Sequence, residues 1–409
     1  MNISMTNDRG MRPGSVEWEF LVVTARLNMD DASEFKLRYI INRGLDWDFV
    51  ISEGFRHGTI GLIYKHLKGL DGVDIPTDVK ERLRNSYLRV TAAGALHLAQ
   101  LERIMKGVQG AGCELIVLKG MTLAEMIYGD LGLRPLSDVD VLVKEQEWPI
   151  ISSMLSRHGY RSSKLGLTAL PPKITKYDVQ AHIQILSPAE TCLEVQFDLL
   201  TLGIGMRDIE GIWRRARNAV IGSAEILVLS PEDQLLHLVV HANRHGCTRL
   251  KWLVDIVEIV SHGPAIDWEV LAEIAKRENV NALFYPIIEH TARLLDAPEI
   301  MDNVPSSMLP RAYQRALWKK VWPQKKLDSF EGRVEDAVCY YYYRPFCIWN
   351  LLNFALTGRI RDKMAYQVRW ICPSLSWMAE YYREKKSFKL LRYYPLRFIN
   401  RLGKGANKY

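Results

Sequence analysis

The absences in this sequence close off whole classes of protein. No uninterrupted apolar run reaches the roughly 18 residues a membrane helix requires; the nearest, Phe346 to Thr357 (FCIWNLLNFALT), is too short. No membrane span is expected. There is no CxxC pair and no finger-like spacing of cysteine and histidine, because Cys113, Cys192, Cys247, Cys339, Cys347 and Cys372 lie far apart. That pattern argues against a zinc ribbon or a disulfide scaffold and suits a reducing, cytoplasmic setting. The amino terminus, MNISMTNDRGMRPGS, has no basic start followed by an apolar stretch, so no secretory leader is expected. Internal repeats and low-complexity tracts are also missing, which excludes solenoids and flexible arrays.

What is present describes a compact soluble chain. With 409 residues, 48% hydrophobic and 25% charged, it is long enough for two or three domains and for at least one large core. The net charge of +7 is unevenly placed: Leu356 to Tyr409 carries 13 Lys and Arg against three Asp and Glu, and the rest is slightly acidic. Basic and aromatic residues alternate in this tail (Arg383, Lys386, Arg392, Tyr393, Tyr394, Arg397). Such a mixture can track a phosphate backbone or an anionic surface, although a helical tail with a solvated basic face is the preferred reading.

Periodicity divides the chain into three regions. Residues 16–112 read as helices, with apolar positions returning every three or four residues in Val79 to Gly110 and a loop at Gly69 to Pro76. Residues 113–229 change character. A short β-branched strand, Glu114 to Leu118, is followed by a helix from Met121 to Tyr128, a turn-rich stretch from Gly129 to Ser137 and a strand from Val139 to Val143. A helix at Trp148 to His158 and strands at His182 to Leu186 and Leu193 to Phe197 complete this region. Residues 230–409 return to helix, opened by Ser230-Pro231-Glu232-Asp233, which supplies an N-cap, a proline at the first position and early acids. Further helices are expected at Leu250 to Val260, Trp268 to Arg277 and Asn281 to Leu295, with breaks near Pro305, Pro310, Pro323 and Pro373. The fold class is therefore α+β, a small mixed-sheet core flanked by N-terminal and C-terminal helical regions.

The chemistry concentrates in Leu118 to Val143 (LKGMTLAEMIYGDLGLRPLSDVDVLV). Asp138 and Asp140 are two apart on a strand, so both carboxylates point to one face and are able to share a hard cation. Mg²⁺ binds through few carboxylates together with substrate phosphate oxygens. The candidate phosphate cradle is Lys119-Gly120, between a strand and a helix start, where free backbone N–H groups favour an anion. Thr122 is the nearest hydroxyl and Ser137 directly precedes the acids; Arg134 is placed to neutralise triphosphate charge, or to brace the loop by pairing with Asp130 or Asp138, two roles that are compatible. A third acid is needed to deprotonate an attacking hydroxyl near the metal, and Glu194 fits, with Asp198 as competitor.

Other polar clusters are read more plainly. His237, His241 and His245 lie four apart on one helix face without the glutamate of an HExxH site. Packing and hydrogen bonds within the helical body, with Asp255 as a candidate partner, are favoured over metal binding. The run Tyr340 to Tyr343 is read as core and interface.

Taken together, these residues resemble the poorly characterised nucleotidyltransferase family of the DNA polymerase beta-like nucleotidyltransferase superfamily. Lys119-Gly120, Tyr128, Arg134, Asp138 to Val143 and Gly159-Tyr160 fall in the family's order. Leu229 to Asp233, His237, His241, His245, Leu250, Trp252 and Asp255 resemble its downstream helical region, giving a likeness over roughly residues 20 to 400. The resemblance implies transfer of a nucleoside monophosphate from ATP or another NTP with release of pyrophosphate, using Mg²⁺ or Mn²⁺. The implied acceptor bears a hydroxyl and belongs to a biosynthetic or modification pathway: a sugar, a lipid-linked carrier, a peptide or a protein. Nucleic acid is the weaker alternative, since no RNA-binding module is recognisable. Two features depart from the pattern. Gly120 precedes Asp138 by 18 positions where better-studied relatives use about a dozen, and Glu194-Val195-Gln196 stands where the family has Asp-x-His. The second departure motivates an alternative, a catalytically inactive nucleotide-binding or scaffold protein that works with a biosynthetic partner.

Overall fold

A computed structural model describes residues 15–162, 182–199 and 208–321, together with Tyr393. The basic tail, apart from Tyr393, the tyrosine run, and the breaks at Pro323 and Pro373 lie outside the described residues.

The helices begin where side chains satisfy their free N–H groups. α1 (Val16–Val23), α2 (Asp31–Asn42) and α3 (Trp47–His57) are capped by Ser15, Asp30 and Asp46, whose oxygens accept from Trp18, Ser33 and Phe49 N–H. Gly58 ends α3 in the left-handed region, at φ 71°. α4 (Ile60–Lys68) and the long α5 (Thr77–Gly110) follow. The helical expectation for this region holds.

Then comes the alternating part: β1 (Leu115–Val117), α6 (Lys119–Met126), β2 (Asp138–Val143), α7 (Trp148–Arg157), β3 (Arg161–Ser162), β4 (His182–Leu186) and β5 (Cys192–Gln196). A short α8 (Ile209–Arg215) leads into β6 (Arg217–Ile221) and β7 (Ala224–Val228). The seven strands form one mixed sheet in the order β3-β4-β5-β2-β1-β7-β6. β2 runs antiparallel to β1 and parallel to β5, while β7 runs parallel to β1. α6 starts two residues earlier than expected, at Lys119, because Leu118 already leaves the strand and donates its N–H to the Asp140 carbonyl at 2.9 Å.

The sheet is covered on both faces. Val139, Val141 and Val143 of β2 pack with Leu101, Ile104 and Val108 of α5 and Ile151 and Leu155 of α7. Leu142, of opposite parity, joins a larger cluster that includes Leu21, Leu37 and Val50 from the first helices. The same cluster holds residues of α9 (Pro231–Arg244), α10 (Leu250–His262), α11 (Trp268–Arg277) and α12 (Asn281–Leu294), such as Leu236, Leu253, Leu271 and Phe284. α9 starts as anticipated, with Ser230 Oγ accepting from Asp233 N–H at 3.2 Å and proline in the first turn. Two short helices, α13 (Glu299–Asp302) and α14 (Ala312–Val321), complete the described chain. Among the described residues no helix is long and apolar enough to cross a membrane.

Candidate active site

The parity that buries Leu142 also sets Asp138 and Asp140 on the face turned toward α9. Parallel pairing of β2 and β5 puts Cys192 opposite Asp138, Glu194 opposite Asp140 and Gln196 opposite Leu142. Three acids from two adjacent strands therefore share one surface. Asp140 is almost fully enclosed at 2% exposure, which ordinarily demands a partner. It has two: Lys119 Nζ donates to Oδ1 at 3.0 Å, and Gln196 Nε2 donates to the same oxygen at 3.1 Å. Gln196 Nε2 also lies 3.2 Å from Glu194 Oε1, so one amide tethers two carboxylates.

The electrostatics follow from this crowding. Burial and the charge of Asp140 hold Asp138 above the usual carboxylate range, at about 6, and the same two causes raise Glu194. For Asp140 burial works upward, but the Lys119 charge and hydrogen bond win and its carboxyl is lowered. For Lys119 burial works downward, and the charges of Asp140, Glu194 and Asp138 outweigh it. The Cys192 thiol is pushed up to about 12 by burial and then by the three acids, so it is not a nucleophile here.

Lys119 and Gly120 occupy the first turn of α6, which has no side-chain cap, so its leading N–H groups are available to an anion. A Cβ on Gly120 would stand 3.4 Å from Leu136 and 3.7 Å from Arg134. Ser137 Oγ donates to Asp138 Oδ1 at 3.1 Å, orienting the first acid. Thr122 is turned inward and donates to the Lys119 carbonyl at 3.1 Å, bracing the turn.

Two side chains take a partner that the sequence did not pair them with. Arg134, expected to face triphosphate, is 4% exposed and engaged inside the protein. Its Nε and Nη2 donate to the two oxygens of Asp255 at 2.8 and 2.7 Å, and Nη1 donates to the Gly120 carbonyl at 3.1 Å. A buried guanidinium finds its fork-shaped partner in the helical region and braces the cradle from beneath. Asp255, expected to serve the histidines, accepts instead from Arg134 and from Tyr128 Oη at 2.9 Å. Two of the imidazoles pack on Trp252, His241 edge-on with ring centroids 5.5 Å apart and His245 tilted at 4.8 Å. Burial, and next the charge of Lys119, lowers His237 to about 3, and its Nε2 has no hydrogen-bond partner among the described residues. The packing interpretation of this stripe is the one the geometry supports, and His237 is also close enough to Asp140 to help lower its carboxyl. Sequence reasoning missed that role, and it missed the tethering amide of Gln196.

Among the described residues no three His, Cys, Asp or Glu side chains are gathered into a preformed metal cage. The donor set still fits a hard divalent cation. Its members are carboxylate oxygens, the atoms such an ion prefers, and the mutual charge that raises Asp138 and Glu194 is what a bound cation would relieve.

A mixed sheet with paired acids on a central strand, a third acid on its parallel neighbour and a Lys-Gly helix start beside them defines a nucleotidyltransferase domain. Residues 43–296, well over half of the chain, match the family described as uncharacterised nucleotidyltransferase, and the chain belongs to that family. The match is narrower than the span of likeness read from the sequence and ends near the close of α12. No curated protein and no solved structure matches the chain.

Proposed function

We propose that this chain transfers a nucleoside monophosphate from ATP or another NTP to a hydroxyl-bearing acceptor and releases pyrophosphate. The observation that carries the reading is the β2–β5 register, which sets Asp140 against Glu194 with Asp138 on the same face, next to the open first turn of α6. Asp138, Asp140 and Glu194 would hold Mg²⁺ or Mn²⁺. A bound divalent ion supplies charge neutralisation at the triphosphate and eases loss of the acceptor's proton. Glu194, whose carboxyl burial and Asp140 keep above the usual range, takes that proton. The acceptor oxygen forms a bond to the α-phosphorus, the bond from that phosphorus to the bridging oxygen breaks, and the electron pair leaves on pyrophosphate. The first-turn N–H groups of α6 and the Lys119 ammonium receive phosphate oxygens.

The acceptor class follows from the family likeness alone: a sugar, a lipid-linked carrier, a peptide or a protein in a cytoplasmic biosynthetic or modification pathway. The alternative is a protein that binds nucleotide without transferring it. It is supported by Lys119 Nζ on Asp140 at 3.0 Å and by the Gln196 amide bridging both acids, which together occupy the carboxylates internally.

Pyrophosphate release in the presence of α-labelled NTP, Mg²⁺ and a panel of acceptor extracts separates the two. Asp138→Asn and Asp140→Asn should each lower turnover by about a thousandfold or more while thermal unfolding stays cooperative. Turnover that survives both substitutions would remove these acids from the mechanism. Metal-dependent NTP binding with no pyrophosphate under any condition would favour the binding protein.

A further inference from the structure

Positive charge collects at the corner between α9 and α10, where helix electrostatics oppose it. Arg249 immediately precedes α10 and Lys251 lies in its first turn, which contains no acid and has no side-chain cap. Cations there face the positive end of the helix dipole. Neither charge forms an ion pair with any described residue. Of the two acids on the same helix, Asp255 is committed through both oxygens to Arg134, and Glu258 is engaged by Arg26, His262 and the Leu27 N–H.

Both side chains are nonetheless held in place. The stem of Lys251 runs beneath Gly58, where an added Cβ would stand 2.5 Å from its Cδ. Its ammonium reaches only a 3.5 Å contact with the Pro135 carbonyl, in the loop that leads to Asp138. The Arg249 guanidinium lies 5.7 Å from the Trp252 ring centre, and its buried Nε has no hydrogen-bond partner among the described residues.

This corner belongs to the candidate site. His245, at its centre, is pushed well down by burial and then by the charges of Arg244, Lys119, Arg249 and Lys251. The charges of Lys251 and Arg249 thus act on the same imidazole as that of Lys119, which is matched by Asp140. Lys251 itself is lowered to about 8 by burial, Arg134 and Arg249, with Asp138 in range and pulling the other way. Uncompensated cations packed together are costly unless an anion from outside completes them.

We propose that the α9–α10 corner is the seat of the distal phosphates of the triphosphate, with Lys251 and Arg249 as binding residues. The inference rests on the nucleotidyltransferase reading and refines it, assigning to these two residues the phosphate contact that Arg134 does not make. A triphosphate presents several negative oxygens to cations that lack partners, and the Arg249 fork suits two of them.

Calorimetric titration of the full chain with inorganic tripolyphosphate, without divalent metal, tests the corner apart from the acids. The parent should bind. Lys251→Gln and Arg249→Gln should each weaken binding about tenfold, and the pair about a hundredfold. Asp138→Asn/Asp140→Asn should bind tripolyphosphate at least as well as the parent, because two repelling charges are gone. Lys251→Gln should also melt no lower than the parent without anion, since it relieves repulsion, whereas a merely structural lysine would lower the melting temperature. No tripolyphosphate binding by the parent, or binding by both Gln variants as tight as the parent's, overturns the proposal. If nucleotide transfer proceeds and Lys251→Gln leaves the KM for NTP unchanged, this inference falls alone. If tripolyphosphate binds in a Lys251-dependent way while no NTP is turned over, the anion seat stands and the nucleotidyltransferase reading falls.

Discussion

His57 shows how one buried side chain couples the helical regions to pH. It is fully enclosed, and its Nδ1 accepts the backbone N–H of Leu250 at 3.2 Å, joining the end of α3 to the start of α10. That bond requires Nδ1 to be unprotonated. Burial pushes the imidazole down to about 4, its hydrogen bond to the Glu53 carboxylate pulls it up, and Arg56 and Arg249 press it down again. The folded value thus lies below the unfolded one of 6.5. Between those two values the unfolded chain binds a proton that the folded chain refuses, so stability is complete above pH 6.5 and falls as the pH drops toward 4. The loss attributable to this residue is roughly 3 kcal/mol. Urea unfolding at pH 7.5 and 4.5 should show a smaller acid loss for His57→Gln than for the parent. An equally steep loss in the variant would mean that other groups, such as His237, His241 and His245, carry the acid sensitivity.

At the scale of elements, the loop from Gly129 to Ser137 is placed by glycines on the helices that flank it. α4 crosses this loop backbone to backbone: a Cβ on Gly61 would come 2.0 Å from the Gly132 carbonyl oxygen and 2.8 Å from Leu133 Cα. α5 contributes Tyr87, whose hydroxyl donates to Asp130 at 2.8 Å. Gly61→Ala meets two backbones that have nowhere to yield, so it should cost about 1–3 kcal/mol and shift the approach to Asp138. Gly69→Ala, with nothing within 4 Å of the added carbon, is the control. Chemical unfolding of both variants, together with metal-dependent NTP affinity, checks this, and equal stability of the two would refute the close docking.

The elements that were legible in the sequence are those whose period is strong. Trp268–Arg277 coincides with its expected span, and β2, β4 and β5 fall within a residue or so of theirs. The β6–β7 hairpin was overlooked although its signal is local: Val220-Ile221 and Ala224 to Val228 flank Gly222-Ser223, with Gly222 at φ 57°. The acids were readable because Asp138 and Asp140 alternate on one strand, and Glu194 because it sits on another. Their juxtaposition with Gln196 was not readable, since it depends on the register of two strands about fifty residues apart. The partner of Arg134 was hidden for a similar reason, because Asp255 arrives from a helix 121 positions away.

For the molecule as a whole, the boundaries at 113 and 229 separate patterns of sequence more cleanly than they separate cores. Leu118, Leu123, Leu142, Leu199 and Leu229 belong to the same buried cluster as Leu21 and Leu37 on one side and Leu236, Leu253 and Phe284 on the other. Exposing five leucines at roughly 2 kcal/mol each forfeits roughly 10 kcal/mol, comparable with the whole net stability of about 5–15 kcal/mol for an ordinary domain. A fragment of residues 113–229 also loses α5, whose Leu101, Ile104 and Val108 cover the opposite face of the sheet, and it loses Asp255, leaving Arg134 charged, buried and alone. We therefore expect that fragment to show no cooperative thermal transition by circular dichroism and to be cut rapidly by trypsin. In the full chain, tryptophan fluorescence and circular dichroism should report one coincident urea transition through helices and sheet alike. A fragment that melts cooperatively would show that the sheet owns its core and that the helices only lean on it. In that event the acids of β2 and β5 would keep their geometry without α9 and α10, and the α9–α10 corner could be removed while the acids themselves are studied intact.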